Sequence, residues 1–236
     1  MSHSHRHVDA KPIDFWLARG AILVIVGLQL GLVNDLALGP RWLAPSLELA
    51  LLIPLSVVTA WTLKTDRRAS TEPQWELLGR EKRLVRKLAI ALTFVSTLMN
   101  FGSLAQLILA ILAGHAGAGR TLLLDAINIW TTNVVIFALW FWTIDRSGPA
   151  VRGLLPEEKA DFLFPQYQLS QGPPLTERWI PGFVDFLFLA FTNATAFSPA
   201  DTFPLTWRAK LLMMAESAIS FLTIAVVASR AVGILS

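Results

Sequence analysis

Three acidic residues stand inside long apolar runs: Glu48 in SLELALL, Asp125 in LLLDAIN and Glu216 in MMAESAI. An ionised side chain at membrane depth costs about 2.5–3.5 kcal/mol on insertion scales, so such residues are functional candidates in want of a partner. Three carboxylates on three helices at a similar depth would form a cup for a cation, or a proton-accepting site. Asn128, Thr131 and Thr132 continue the Asp125 face at helical spacing, and Ser217, Ser220 and Thr223 do the same near Glu216. Glu48, Asp125, Asn128, Thr132, Glu216 and Ser220 are therefore the candidate lining of a cation or solute pathway. The competing reading is structural. Ser, Thr and Asn at this spacing commonly join helices, at an average of about 0.6 kcal/mol per hydrogen bond. Arg41, Arg120, Arg208 and Lys210 are available as partners for the acids.

A second candidate is the break after the apolar run Phe183–Ser198, formed by Thr195, Ser198, Pro199 and Asp201. Its outline is superficially similar to a potassium-channel pore module, whose filter stacks backbone carbonyls in a T-V-G-Y-G-D pattern. Here both glycines are missing, and no glycine occurs between Gly182 and Gly233. Glycine supplies the φ freedom of a carbonyl ladder, whereas Pro199 locks φ near about −65°. A potassium filter is excluded. Irregular backbone at membrane depth is still tolerated only where it is packed in protein or lines a cavity, which keeps Thr195–Asp201 of interest.

The elements that must carry these residues are membrane helices. The 236-residue chain is 54% hydrophobic, has a mean hydropathy of +0.53 and is only 16% charged, against roughly 25% in soluble domains. Apolar runs predict spans at about 16–33, 42–63, 88–113, 122–144 and 209–233. The segment 183–198 makes a sixth if Trp179–Gly182 extend it. The expected architecture is an all-α, polytopic transmembrane bundle of six spans, the alternative being five spans plus a re-entrant hairpin at 183–202. Residues 1–15 read as a cytoplasmic tail and 16–236 as one transmembrane domain, with cytoplasmic connections at 64–87 and 145–178. With six crossings and an inside amino terminus, sixteen Lys and Arg lie inside and four outside; the re-entrant alternative gives seventeen and three. Both agree with the bias of basic residues to the cytoplasmic side. The expected location is the bacterial cytoplasmic (inner) membrane. Trp16, Trp61, Trp140, Trp142 and Trp179 fall at expected inner ends, and Trp42 and Trp207 at outer ends, as interfacial aromatic belts do.

Other chemistry is not indicated. There is no cysteine, hence no disulfide or thiol nucleophile, and no zincin, nucleophile-elbow or P-loop motif. No enzymatic activity, cofactor or metal site is expected. His3, His5 and His7 alternate in the tail without a scaffold to fix them, and Asn193-Ala194-Thr195 matches the glycosylation triplet only by accident of its apolar setting. The basic stretch 64–87 is accounted for by the membrane, so nucleic acid is not an expected partner. The bilayer is, and Gly27-x-x-x-Gly31 suits either an internal helix contact or the seam of a homo-oligomer.

The phrase Asp185-Phe186-Leu187-Phe188-x-Ala190-Phe191-Thr192, followed by Thr195-Ala196-Phe197-Ser198-x-x-Asp201-Thr202, resembles the carboxy-terminal signature of a family of bacterial integral membrane proteins of unknown function. Asp161-Phe162-Leu163-Phe164-Pro165 is similar to an upstream element of that family. The likeness covers about the last 75 residues and implies membrane location and architecture, with no activity to carry over. Two functions remain expected: a channel- or transporter-like pathway for a cation or small solute, or a non-transporting scaffold or assembly factor.

Overall fold

The computed structural model describes residues 12–31, 40, 42–65, 72–113, 119–148, 159–169, 179–195 and 202–235. Seven α-helices and two short strands occur in them: α1 (Pro12–Gly31), α2 (Leu43–Thr65), α3 (Glu72–Leu112), α4 (Gly119–Ile144), β1 (Phe162–Leu163), α5 (Pro165–Leu169), α6 (Phe183–Ala194), β2 (Phe203–Pro204) and α7 (Trp207–Leu235). Four helical stretches are long and apolar enough to cross a membrane: Ile13–Leu30, Leu84–Leu112, Thr121–Ile144 and Trp207–Ser229. Shorter apolar stretches are Leu43–Val57 in α2 and Phe183–Ala194, the whole of α6. Among the described residues four such stretches stand against the six spans expected. Large apolar side chains such as Leu30, Ile53, Phe94, Leu98, Met214 and Phe221 are exposed along the outer faces. A soluble monomer rarely exposes so much contiguous apolar surface, whereas hydrocarbon covers it at no cost.

The middle of the bundle is α4. Of its apolar stretch 72% is buried, against 22–28% for the other three, because α1, α3, α6 and α7 all pack on it. The long helices alternate in direction, as their side-chain contacts show. Gln29 near the end of α1 meets Glu48 near the start of α2, and Arg19 near the start of α1 donates to the Leu55 carbonyl further along α2. Arg86 on the first half of α3 donates to the Thr143 carbonyl at the end of α4.

One end of the bundle is tied by polar and aromatic contacts, and we call it the strand end. The end of α4 tightens into a 3-10 turn, Asp145–Ser147, with Arg146 in the left-handed region at φ 48° and its guanidinium over the Tyr167 ring. Asp145 accepts the Asp161 and Phe162 N–H groups, which places β1 beside the end of α4. Strand β1 pairs antiparallel with β2 immediately before α7. Beneath them, edge-on ring contacts run from Phe141 to Phe162, on to Phe186 and to Phe164, while Trp142 meets both Phe15 of α1 and Phe183 of α6. The starts of α1, α6 and α7 and the finish of α4 therefore share this end.

Gly148 closes the turn at φ 87°, ψ 168°, donating to the Asp145 carbonyl at 2.8 Å. A Cβ there would stand 2.8 Å from the Thr143 carbonyl oxygen. Gly148→Ala is expected to destabilise the protein by about 1–3 kcal/mol, the cost of one residue held where only glycine sits freely. Thermal unfolding of the detergent-solubilised protein checks it.

Two expectations change in this frame. The stretch 64–87 is not a plain connection: α3 begins at Glu72 and continues unbroken into the apolar run. Glu, Leu, Arg and Lys are good helix formers, and Pro73 lies in the first turn where proline is tolerated. The tryptophans also sort differently. Trp142 is buried in the core rather than in a belt, and Trp207, expected at the outer end, opens α7 at the strand end, the same end as Trp16. Both Trp16 and Trp207 are exposed.

Candidate functional site

Helix α6 has 12 residues, about 18 Å at 1.5 Å per residue, so it reaches only partway along its neighbours. Its start is held at the strand end. Asp185 caps the Gly182 N–H at 2.7 Å, and Asp14 of α1 accepts the Phe183 N–H at 3.2 Å. Its finish is inside the bundle. A helix leaves its last carbonyls without helical partners, and these must be met locally. Here the Thr192 hydroxyl donates to Phe188 and Leu189, the Thr195 hydroxyl to Phe191 and Thr192, and the Ser217 hydroxyl to Asn193. This is how an apolar helix stops at depth, and Thr195 is its C-cap.

The tip of α6 meets a carboxylate. Glu216 is fully buried on α7, nine residues after Trp207 and so about 13 Å from the helix start. The Asn193 amide donates to Glu216 Oε2 at 2.7 Å and to the Met213 carbonyl at 2.9 Å. From α4, the Asn133 amide donates to Ser220 Oγ at 2.8 Å and to the Glu216 carbonyl at 3.3 Å. Three helices thus converge on Glu216 through neutral groups. Among the described residues Glu216 Oε1 and Asn133 Oδ1 are buried and have no hydrogen-bond partner, as do Asn128 Oδ1 and Thr132 Oγ1 further along α4. A buried polar atom left unmatched costs about 1–3 kcal/mol, so each of these oxygens favours a water or a cation beside it.

The three acids are not brought together. Glu48 accepts from Gln29 at 2.7 Å on α2, a helix that packs on α1 and α3. Asp125 lies eight residues before Asn133 on α4, about 12 Å toward the other end. The shared depth rested on six crossings; with α7 starting at the strand end, Glu216 sits nearer that end and Glu48 nearer the opposite one. Nor are basic residues the hydrogen-bond partners shown for Glu48 and Glu216: each is met by a side-chain amide. Asp125, Asn128 and Thr132 are buried and share one face of α4 by their spacing. Asn133 stands one step, about 100°, round the helix from Thr132, toward α7. On α3, Asn100 donates to the Ile129 carbonyl and Thr97 accepts the Trp140 indole N–H, so part of that polar stripe is helix-joining. Ser198, Pro199, Asp201 and the three tail histidines lie outside the described residues. Among the described residues no group of three or more His, Asp or Glu could hold a metal ion.

Two members of the cluster were missed by the sequence reading. In the sequence Asn193 reads only as part of a chance glycosylation triplet, although a polar amide ending an apolar run is itself a signal. Asn133 hides beside Thr132 on a different face.

The basic residue near the start of α7 has a different role from that expected. Arg208 forms a forked pair with Asp161, Nε to Oδ1 at 2.7 Å and Nη2 to Oδ2 at 2.8 Å. Thr206 donates to Asp161 Oδ1 at 2.5 Å and accepts the Ala209 N–H, capping α7. The Asp161 side chain is fully buried and that of Arg208 about half exposed, at 47%. Asp161 and Thr202, both within the motifs noted above, fall at this junction.

Comparison with protein-family models, curated proteins and solved structures finds no match to this chain.

Proposed function

We propose that the protein is a channel- or transporter-like membrane protein with a monovalent-cation or proton site at Glu216. The carrying observation is a fully buried carboxylate met, among the described residues, by a neutral side-chain amide at the C-terminal tip of a half-length helix. In a low-dielectric interior a carboxylate of this kind is neutralised by a proton or a cation. The C-terminal end of a helix carries about half a negative charge, and half-helix C-terminal ends coordinate cations in secondary transporters. Both fields at the α6 tip favour positive charge and disfavour anions. Among the described residues the side-chain partner shown for Glu216 is an amide rather than a second acid, which suits one positive charge.

In this reading the chain crosses the membrane five times, through α1, α2, α3, α4 and α7, while 183–202 enters and returns on one side. The pairing of β1 with β2 and of Asp161 with Arg208 supports the return, because both flanks of α6 meet there. It moves Arg208 and Lys210 inside and gives the seventeen-to-three distribution of basic residues, with the amino terminus cytoplasmic and the protein in the inner membrane. Asp125, Asn128 and Thr132 carry the route on toward the opposite end. Glu48 lies outside it, so Glu48→Gln, which keeps an acceptor for Gln29, is expected to leave flux within about twofold of wild type. The test is cation or proton flux into proteoliposomes of the purified protein. Flux that is absent for potassium, sodium and protons alike contradicts the reading.

One observation favours the scaffold alternative. Helix α3 has 41 residues and begins twelve residues before its apolar stretch at Leu84, so about 18 Å of helix stands clear of the hydrocarbon as a docking arm. A partner that co-purifies with the full chain and is lost on deleting 72–83, in a protein with no flux, would establish it.

A further inference from the structure

Helix α6 packs on α4 and α7 and ends partway along them, at Ala194. Phe191 packs edge-on against Trp130 of α4, ring centroids 5.7 Å apart. Above it runs an open groove of about 190 Å³, bounded by Leu123, Ala126, Ile127 and Trp130 of α4 and by Thr223, Ile224 and Val227 of α7, the Thr223 hydroxyl donating to the Ile219 carbonyl at 2.8 Å. No polar atom contributes to its surface. Its walls belong to two of the helices apolar enough to cross a membrane, and Leu123, Ile127 and Ile224 are about half exposed on the same outer face. We propose that this groove is a binding site for one acyl chain of a membrane lipid, from the leaflet at the end opposite the strands.

The occupant follows from the surroundings. A groove whose exposed surface is apolar, its one hydroxyl residue Thr223 already donating to the Ile219 carbonyl, rejects water. Hydrocarbon chains are the apolar material that meets transmembrane helices at this depth. A flexible chain can enter from the side and lie along the groove, replacing the contacts that a full-length α6 would have made with α4 and α7. The headgroup plays no part, because the groove offers it no polar contact. The site is independent of the cation reading: it depends on where α6 stops, not on what Glu216 binds.

The probe is the full chain in vesicles of phosphatidylethanolamine and phosphatidylglycerol doped with a phosphatidylethanolamine bearing a diazirine near its chain end. After illumination, labelled peptides are mapped by mass spectrometry. Label per residue on 123–130 and 223–227 is expected several-fold above that on 94–101, a lipid-facing stretch of α3 with exposed Phe94, Leu98 and Phe101. Ile127→Trp or Ile224→Trp, each enlarging a half-exposed side chain at the groove, should lower the groove label to the α3 level and leave the α3 label unchanged. Equal labelling of the two regions in the wild type overturns the proposal, whether or not either variant folds. So does groove labelling that persists in a folded tryptophan variant, or protein–protein adducts across the groove showing that a second copy fills it.

Discussion

Glu216→Gln should abolish cation or proton flux in proteoliposomes, a loss of at least tenfold, while the protein still folds. Glutamine keeps the volume of the side chain and an acceptor oxygen for the Asn193 amide, which bonds Glu216 Oε2 at 2.7 Å. The contacts from Asn133 go to the Glu216 backbone carbonyl and to Ser220, and neither needs the carboxylate. The substitution thus removes the charge and little else. Folding stability should stay equal or rise, since an ionised group at depth costs about 2.5–3.5 kcal/mol to place there. Flux and thermal stability are measured on the same preparation. Unchanged flux in the folded variant would remove Glu216 from the pathway. Loss of both flux and fold would instead be resolved by Asn193→Asp, which adds a second acid at the tip and should change ion preference if the site is on the route.

Arg208→Ala is expected to have the largest effect on stability, about 3–5 kcal/mol, the cost of breaking a buried ion pair from one side. The lower end applies, because the guanidinium is about half exposed. The two partners are not equivalent. Removing Arg208 leaves the fully buried Asp161 carboxylate with Thr206 as its remaining side-chain donor. Asp161→Asn, in contrast, leaves an arginine that can turn to water and retains an acceptor for Thr206, so it should cost less than Arg208→Ala. Arg208→Lys should fall between wild type and Arg208→Ala, keeping the charge but not the planar fork that meets both carboxylate oxygens. Thermal unfolding in one detergent ranks the three. If Asp161→Asn proves the most damaging, the pair does not hold α7 in the way described.

How much of this was legible in the sequence depends on the range of the deciding contacts. The helices α1, α3, α4 and α7 announce themselves as long apolar runs, because length and hydropathy are local properties. The run at 183–198 was ambiguous for a physical reason. Sixteen residues span about 24 Å as a helix, close enough to a crossing that length could not choose. The return proposed for this segment rests on a contact between Asp161 and Arg208, 47 positions apart, and on a strand pair only two residues long on each side, too short to show a period. The site followed the same pattern. Glu216 and Ser220 are conspicuous in the sequence because a charge and a hydroxyl inside an apolar run stand out. Their grouping with Glu48 failed because it assumed that α7 starts at the other end. Asn193 became meaningful only once α6 was seen to stop beside α7.

The chain has no cysteine, which makes single-cysteine labelling clean. Introduce one at Lys159, before β1, and another at Phe203 in β2, both exposed, and apply a membrane-impermeant maleimide to sealed vesicles of each orientation. The account predicts that both positions react from the same side of the membrane, the side at which α2 ends and α3 begins. Reaction from opposite faces would mean that 183–198 crosses, and would contradict the half-length helix on which the Glu216 site and the groove beyond it both depend.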